Sequence, residues 1–223
     1  MISVAIDGPA GSGKSTVSKI VAQKLGFVHL DTGALYRAIA YFIDKNEVDF
    51  SSESDVERCL KEIDLEVEKG AKEQKILLNG KILESELRSL NVTKIASKIA
   101  SYKSVRDYLL ELQRSFAKTQ NVLMDGRDIG TVVLPDATVK IFITASPEVR
   151  AKRRFRQMSE SGENPDYEEI LNTIKNRDYE DTHRKIAPLK RADDAVLVDN
   201  SDMDLNQTVE NILGVIKKKA GSV

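Results

Sequence analysis

Short apolar runs rich in β-branched residues alternate along this chain with longer stretches in which apolar positions recur every three or four residues. Ile2 to Ile6 is the first run, closed by Asp7-Gly8-Pro9, and it predicts a buried strand. Val17, Ile20, Val21 and Leu25 follow at helical spacing, so Ser15 to Leu25 is expected to be a helix, stopped by Gly26. Phe27 to Leu30 predicts a second strand. Strand, helix and strand in about 30 residues make a βαβ unit, which implies a parallel sheet with a right-handed crossover.

Leu35 to Ile43 then reads as a helix, and Ser51 or Ser52 can cap another that runs to about Ile63. The stretch Leu65 to Leu83 changes character. Asn79-Gly80 lies between two short apolar runs, a strong hairpin signal, so a small antiparallel sheet is expected as an insertion. Val92 to Ser101 and Ser104 to Ala117 read as helices. Strands resume at Asn121 to Asp125 and at Val139 to Ile143. Pro147 opens a helix to about Ser159, Gly162 and Pro165 break it, and another spans Tyr167 to about Arg184. A last strand, Ala195 to Val198, precedes a closing helix, Leu205 to Lys219. Lys217, Lys218 and Lys219 in its last turn complement the helix dipole.

Composition narrows this α/β picture. With 223 residues, 41% hydrophobic and 31% charged, the chain suits one sizeable globular core rather than a disordered segment. A formal net charge of −1 argues against a general nucleic-acid coat. The one cysteine, Cys59, excludes an internal disulfide and reads as a small buried hydrophobe in a helix rather than a reactive thiol. The N-terminal apolar run is too short for a leader and no apolar stretch reaches membrane-spanning length. The expectation is a cytosolic monomer with no membrane partner.

Gly8-Pro9-Ala10-Gly11-Ser12-Gly13-Lys14-Ser15 matches the phosphate-loop pattern G-x-x-x-x-G-K-[ST], between a predicted strand and a predicted helix, where the pattern has meaning. Glycines free backbone N–H groups to curl round phosphate oxygens, and the helix N-terminus adds positive potential. Lys14 can reach the β- and γ-phosphates and Ser15 can ligate Mg²⁺, with Thr16 next in the binding segment. The alternative, a glycine-rich turn with a stray lysine, fits this context poorly. Asp125, ending a buried strand, is either a carboxylate that holds Mg²⁺ through water or a structural acid.

Three further segments carry more. They are Leu30-Asp31-Thr32-Gly33-Ala34-Leu35-Tyr36-Arg37, the run from Met124-Asp125-Gly126-Arg127-Asp128-Ile129-Gly130-Thr131 to Ala137, and the run from Arg177-Asp178-Tyr179-Glu180-Asp181-Thr182-His183-Arg184 to Leu189. With the phosphate loop, they make nearly the whole chain resemble the bacterial cytidylate kinases, P-loop nucleoside monophosphate kinases that act on CMP and dCMP. The resemblance implies a five-stranded parallel sheet flanked by helices. It also implies a monophosphate-binding region inserted at about 33–115 and a short lid at about 150–166, all within one kinase unit, 1–223. It further implies that Arg37, Arg127 and Arg184 hold the acceptor phosphate. Ser97, Arg106 and Asp128 would face cytosine, and Arg177 and Asp181 the sugar. Thr32 stands where some members have serine.

The residue types agree in kind. Arginine's planar fork binds phosphate bidentately and stays charged. Cytosine offers an N4 donor beside N3 and O2 acceptors, which an aspartate with an arginine and a serine can read. Blander readings remain open: Arg127 and Asp128 as a surface pair, Ser97 and Arg106 as solvated helix residues, Asp181 and Arg184 as an i,i+3 ion pair. Five basic residues lie between Arg150 and Arg156. They read either as a charged helix face or as a lid whose Arg150, Arg153 and Arg154 close over ATP. In the lid reading, Lys14, Arg127, Arg153 and Arg184 stabilise the transferring group. The acceptor phosphate is already ionised, so His183 is not needed as a base, and His29 reads as structural.

The expected reaction is ATP plus (d)CMP giving ADP plus (d)CDP, with Mg²⁺ as cofactor and in-line transfer driven by positioning. The rival readings are a related small-molecule kinase for AMP, dTMP, UMP or shikimate, a switch GTPase, and a nucleotide-binding scaffold without turnover. The chain lacks an Asn-Lys-x-Asp run, which counts against the GTPase.

Overall fold

The computed structural model describes residues 1–69 and 74–221. Residues 70–73, inside the predicted insertion, lie outside the described residues. The elements run β1 (Ser3–Asp7), α1 (Lys14–Leu25), β2 (Val28–Asp31), α2 (Thr32–Lys45), α3 (Glu53–Leu60), β3 (Leu65–Lys69), β4 (Gln74–Leu78) and β5 (Lys81–Leu83). A 3₁₀ turn (Ser85–Arg88) leads to α4 (Leu90–Ile99), α5 (Lys103–Thr119), β6 (Val122–Gly126) and a π turn (Ile129–Val133). The chain closes with β7 (Val139–Thr144), α6 (Pro147–Glu160), α7 (Tyr167–His183), β8 (Val196–Asp199) and α8 (Leu205–Ala220).

β2-β6-β1-β7-β8 form one five-stranded sheet, parallel throughout. Strand residues alternate between its two faces. Val4 and Ile6 pack with Val17 and Val21 of α1 and Ile212 and Ile216 of α8. Ala5 points the other way, into a layer with Leu30, Met124, Ile129 and Val133. Both faces are covered, which is why the strands read as continuous apolar runs rather than alternating ones. β3-β4-β5 form the separate antiparallel sheet, turning at Asn79-Gly80, and Leu65, Ile76, Leu78 and Leu83 join the core of α2 to α5. Cys59 is buried in that core.

Element ends moved where side chains intervene. α2 starts at Thr32, earlier than the predicted Leu35, because Asp31 both ends β2 and caps the helix by accepting the N–H of Ala34. Ser52, not Ser51, caps α3, which ends at Leu60 rather than Ile63. The turns at 85–88 and 129–133 carry no periodicity and were not anticipated.

The register brings chemistry to one edge. Asp7 is level with Gly126, and Asp31 with Asp125. The C-terminal ends of β1, β2 and β6 therefore deliver three carboxylates side by side. On either side of β1 the chain runs out in opposite directions, the usual place for a ligand cleft in a parallel sheet.

Candidate active site

The loop from Gly8 to Ser15 joins β1 to the start of α1. Gly8 has φ 152°, and a Cβ there would stand 1.9 Å from the carbonyl oxygen of Ile143, so only glycine fits. Three of the loop's carbonyls are engaged by side chains: Pro9 by Lys14 Nζ at 3.0 Å, Ala10 by Arg150 at 3.0 Å and Ser12 by Asn200 at 2.9 Å. The buried Ser12 Oγ has no hydrogen-bond partner. Lys14 is buried, and burial followed by the repulsion of Arg127 lowers its pKa to about 7.

Ser15 Oγ donates to Asp125 Oδ2 at 2.6 Å, and His29 Nε2 lies 2.6 Å from Asp125 Oδ1. Burial alone would raise the pKa of Asp125, but His29, Lys14 and Ser15 reverse that and hold it below the ordinary carboxylate value. A serine hydroxyl against an ionised carboxylate is a hard-oxygen donor pair of the kind that fits Mg²⁺. Among the described residues no cluster of three or more His, Cys, Asp and Glu offers a closed metal site.

Beside this loop opens a cleft of about 240 Å³. All nine residues that the sequence assigned to the acceptor line it: Thr32, Arg37, Ser97, Arg106, Arg127, Asp128, Arg177, Asp181 and Arg184. They come from α2, α4, α5, the segment after β6, and α7 with its C-cap, so only the fold brings them together. Lys14, Asp31 and Asp125 line it too, so six cationic side chains face four carboxylates. The surplus positive charge suits a dianionic ligand.

Charges alternate through the cleft. Arg106 donates to Asp128 and, at 3.1 Å, to the carbonyl of Ala100. Arg184 Nη2 lies 3.7 Å from Asp128, and Arg127 Nε donates to Asp181 at 2.8 Å. Arg37 donates to Asp31 at 2.9 Å. Burial pushes Asp128 above the usual carboxylate value against the pull of Arg106 and Arg184. For Asp181 burial pushes upward as well, but Arg127, Arg177 and Arg184 win and keep it low. Arg177 Nε and Arg184 Nη2 are buried without a hydrogen-bond partner. A guanidinium N–H left without a hydrogen bond in this way costs about 1–3 kcal/mol or more, a cost that an acceptor oxygen of a ligand can remove.

A cytidylate kinase family model matches residues 4–218. The chain belongs to the cytidylate kinase family. A cytidylate kinase of Thermosipho melanesiensis is 46% identical over 97% of this chain and 97% of its own. One of Lactobacillus johnsonii is 43% identical over 98% and 95%. Among solved structures, an uncharacterized protein from Eubacterium ventriosum superposes with a TM-score of 0.53 at 13% identity, covering 97% of this chain and 99% of that one, which shows a shared fold alone.

Other predicted site residues sit differently within this cytidylate kinase framework. Arg150 is 2% exposed, with its donors on Ala145, Ala10 and the carboxylate of Asp178. It braces the phosphate loop, and contact with a nucleotide would require releasing Asp178. Arg153 donates to the side chain and carbonyl of Asn200, while Arg154 is exposed beside Gln157. Thr32 Oγ1 donates to the carbonyl of Asp125 at 2.8 Å, so its proton is committed and its lone pairs remain.

Sequence reasoning missed Asn200, which links Ser12 to Arg153 from far along the chain. It also read His29 as merely structural, whereas its ring sits on the candidate metal carboxylate. Neither residue lies in a motif. Each is placed by the end or the register of an edge strand.

Proposed function

We propose that this chain phosphorylates CMP and dCMP with ATP as donor, giving CDP or dCDP and ADP, in the cleft beside the phosphate loop. The observation that carries the reading is the pair of buried guanidinium nitrogens on Arg177 and Arg184 that lack a hydrogen-bond partner, in a cleft with surplus positive charge. In this reading Gly8 to Thr16 wrap the triphosphate with backbone N–H groups and Lys14, helped by Arg153 and Arg154 from a lid at about 150–166. Arg37, Arg127 and Arg184 hold the acceptor phosphate, and Arg177 and Asp181 hold the sugar. Asp128 accepts from the N4 amine of cytosine, while Arg106 and Ser97 donate to N3 and O2. The region at about 33–115 acts as the monophosphate-binding part.

Transfer is in line, from the γ-phosphorus to an acceptor oxygen that is already ionised, so no side chain need remove a proton. Lys14, Arg127, Arg153 and Arg184 supply fixed positive charge where charge spreads in the transition state. Ser15 and, through water, Asp125 would hold Mg²⁺, which would supply neutralisation of the charge on the transferring group. The state carried forward from the sequence is a cytosolic monomer. No helix among the described residues is long and apolar enough to cross a membrane. Gel filtration at working concentration measures the oligomeric state.

A coupled ADP-release assay with CMP, dCMP, UMP, AMP, dTMP and shikimate tests the substrate. CMP and dCMP are expected to give the highest kcat/KM, and a marked preference for any other acceptor overturns the assignment.

A further inference from the structure

Asp7 ends β1 and directly precedes the phosphate loop, yet the reaction described above gives it no task. It is 4% exposed. Its Oδ1 accepts the N–H of Ile129 and its Oδ2 accepts that of Gly130, each at 2.7 Å. Both oxygens are thus occupied by consecutive backbone donors of the π turn that follows Arg127 and Asp128. Burial pushes the carboxyl up to about 7 even against the pull of the two N–H groups.

The position of this fork is what gives it a consequence. The β1–β6 register ends at the Asp7–Gly126 pair. Beyond Gly126 the chain leaves the sheet, and Arg127 and Asp128 have no strand ladder to fix them. Bonds from Val132 and Val133 back to the Asp128 carbonyl are internal to the turn, and Arg114 of α5 holds only its far end, at the carbonyls of Val132 and Val133. The near end is fixed from outside by Asp7. Gly126 allows the tight return: a Cβ there would come within 2.6 Å of Ile129 Cδ1 and 2.7 Å of Thr32 Oγ1.

We propose that Asp7 is a positioning residue for the acceptor side, tying the loop that presents Arg127 and Asp128 to the strand that delivers the phosphate loop. It touches neither substrate. The inference rests on the reading that Arg127 and Asp128 face CMP. It assigns Asp7 to acceptor geometry, although in sequence it adjoins the donor loop.

Asp7→Asn tests this because it keeps shape and volume but turns an NH₂ group toward one of the two N–H donors. The expected result is a fall of about tenfold or more in kcat/KM for CMP, with a raised KM for CMP and a KM for ATP within about twofold of wild type. Equal losses for both substrates, or a loss confined to ATP, overturn it. Asp128→Ala measured in parallel separates the two readings. If that variant leaves the CMP-to-UMP preference intact, the base-pocket reading fails. If it shifts the preference while Asp7→Asn changes neither CMP parameter, the Asp7 inference alone fails. Amide exchange on the wild-type protein serves if Asp7→Asn does not fold. The Ile129 and Gly130 amides are expected to be protected as strongly as those of β1, and fast exchange there overturns the clamp.

Discussion

Asp128→Ala removes a carboxylate that is 5% exposed and stands between two arginines, Arg106 in hydrogen-bond contact and Arg184 at 3.7 Å. Two effects follow, with separate readouts. The first is on stability. Arg106 and Arg184 are both about nine-tenths buried and would face each other without the intervening charge. Breaking a buried pair by removing one partner costs about 3–5 kcal/mol. At about 2–4 °C per kcal/mol for a chain of this size, the melting temperature should fall by roughly 6–20 °C. The second effect is on selectivity. A hydrogen bond to a charged acceptor contributes about 1.5–3 kcal/mol. At about 1.4 kcal/mol per tenfold, its loss should lower the CMP-to-UMP ratio of kcat/KM by about ten- to a hundredfold. Because both substrates are measured on one preparation, the ratio cancels any inactive fraction that the stability loss creates. The KM for ATP should stay within about twofold. Asp128→Asn, which keeps one carbonyl acceptor, should lose less of both. A CMP-to-UMP ratio within twofold of wild type in Asp128→Ala, with activity retained, refutes the base-pocket assignment.

Arg177→Met should raise the melting temperature by a few degrees while raising the KM for CMP at least tenfold, because it removes a buried N–H that only a ligand satisfies. A drop in melting temperature with unchanged KM counts against that. Lys14, at about 7 in the free protein, should gain a proton as it meets the triphosphate, so at pH 8 ATP binding takes up close to one proton, about 0.9, read by calorimetry in two buffers of different ionisation enthalpy. The same shift should make folding stability rise with pH between about 7 and 10.5, since the unfolded lysine binds the extra proton there. Burial pushes Cys59 up to about 11, leaving only about 0.1% thiolate at pH 8. A disulfide reagent should therefore react slowly with the native protein and count one thiol at once in denaturant. Asp125→Asn should raise the Mg²⁺ concentration for half-maximal activity at least tenfold with little change in the KM for CMP.

The sheet was legible because parallel strands buried on both faces leave continuous apolar runs, and the phosphate loop because its glycines mark a backbone geometry that few other sequences allow. Asn79-Gly80 likewise wrote the hairpin into the chain. The cleft was legible only in part. Its residues came to notice through family resemblance: Arg127, Asp128, Asp181 and Arg184 stand in the local runs that carry it, whereas Ser97 and Arg106 look like ordinary helix residues. What escaped was set by register. Asp7, His29 and Asn200 each act on a partner about 100 or more residues away, across strands whose order in the sheet is not written in any local pattern.

Arg150 shows the same limit from the other side. A basic run reads as a set of equivalent cations, yet helical spacing turns its members in different directions. Arg150 faces inward to Asp178 and the carbonyl of Ala10, Arg153 reaches Asn200, and Arg154 and Arg156 face solvent. One stretch of α6 thus holds a brace for the phosphate loop beside cations that face solvent. That arrangement has a physical logic. A loop whose carbonyls are already engaged by Arg150 and Asn200 need not be ordered when a triphosphate binds, so less of the binding energy is spent on ordering it.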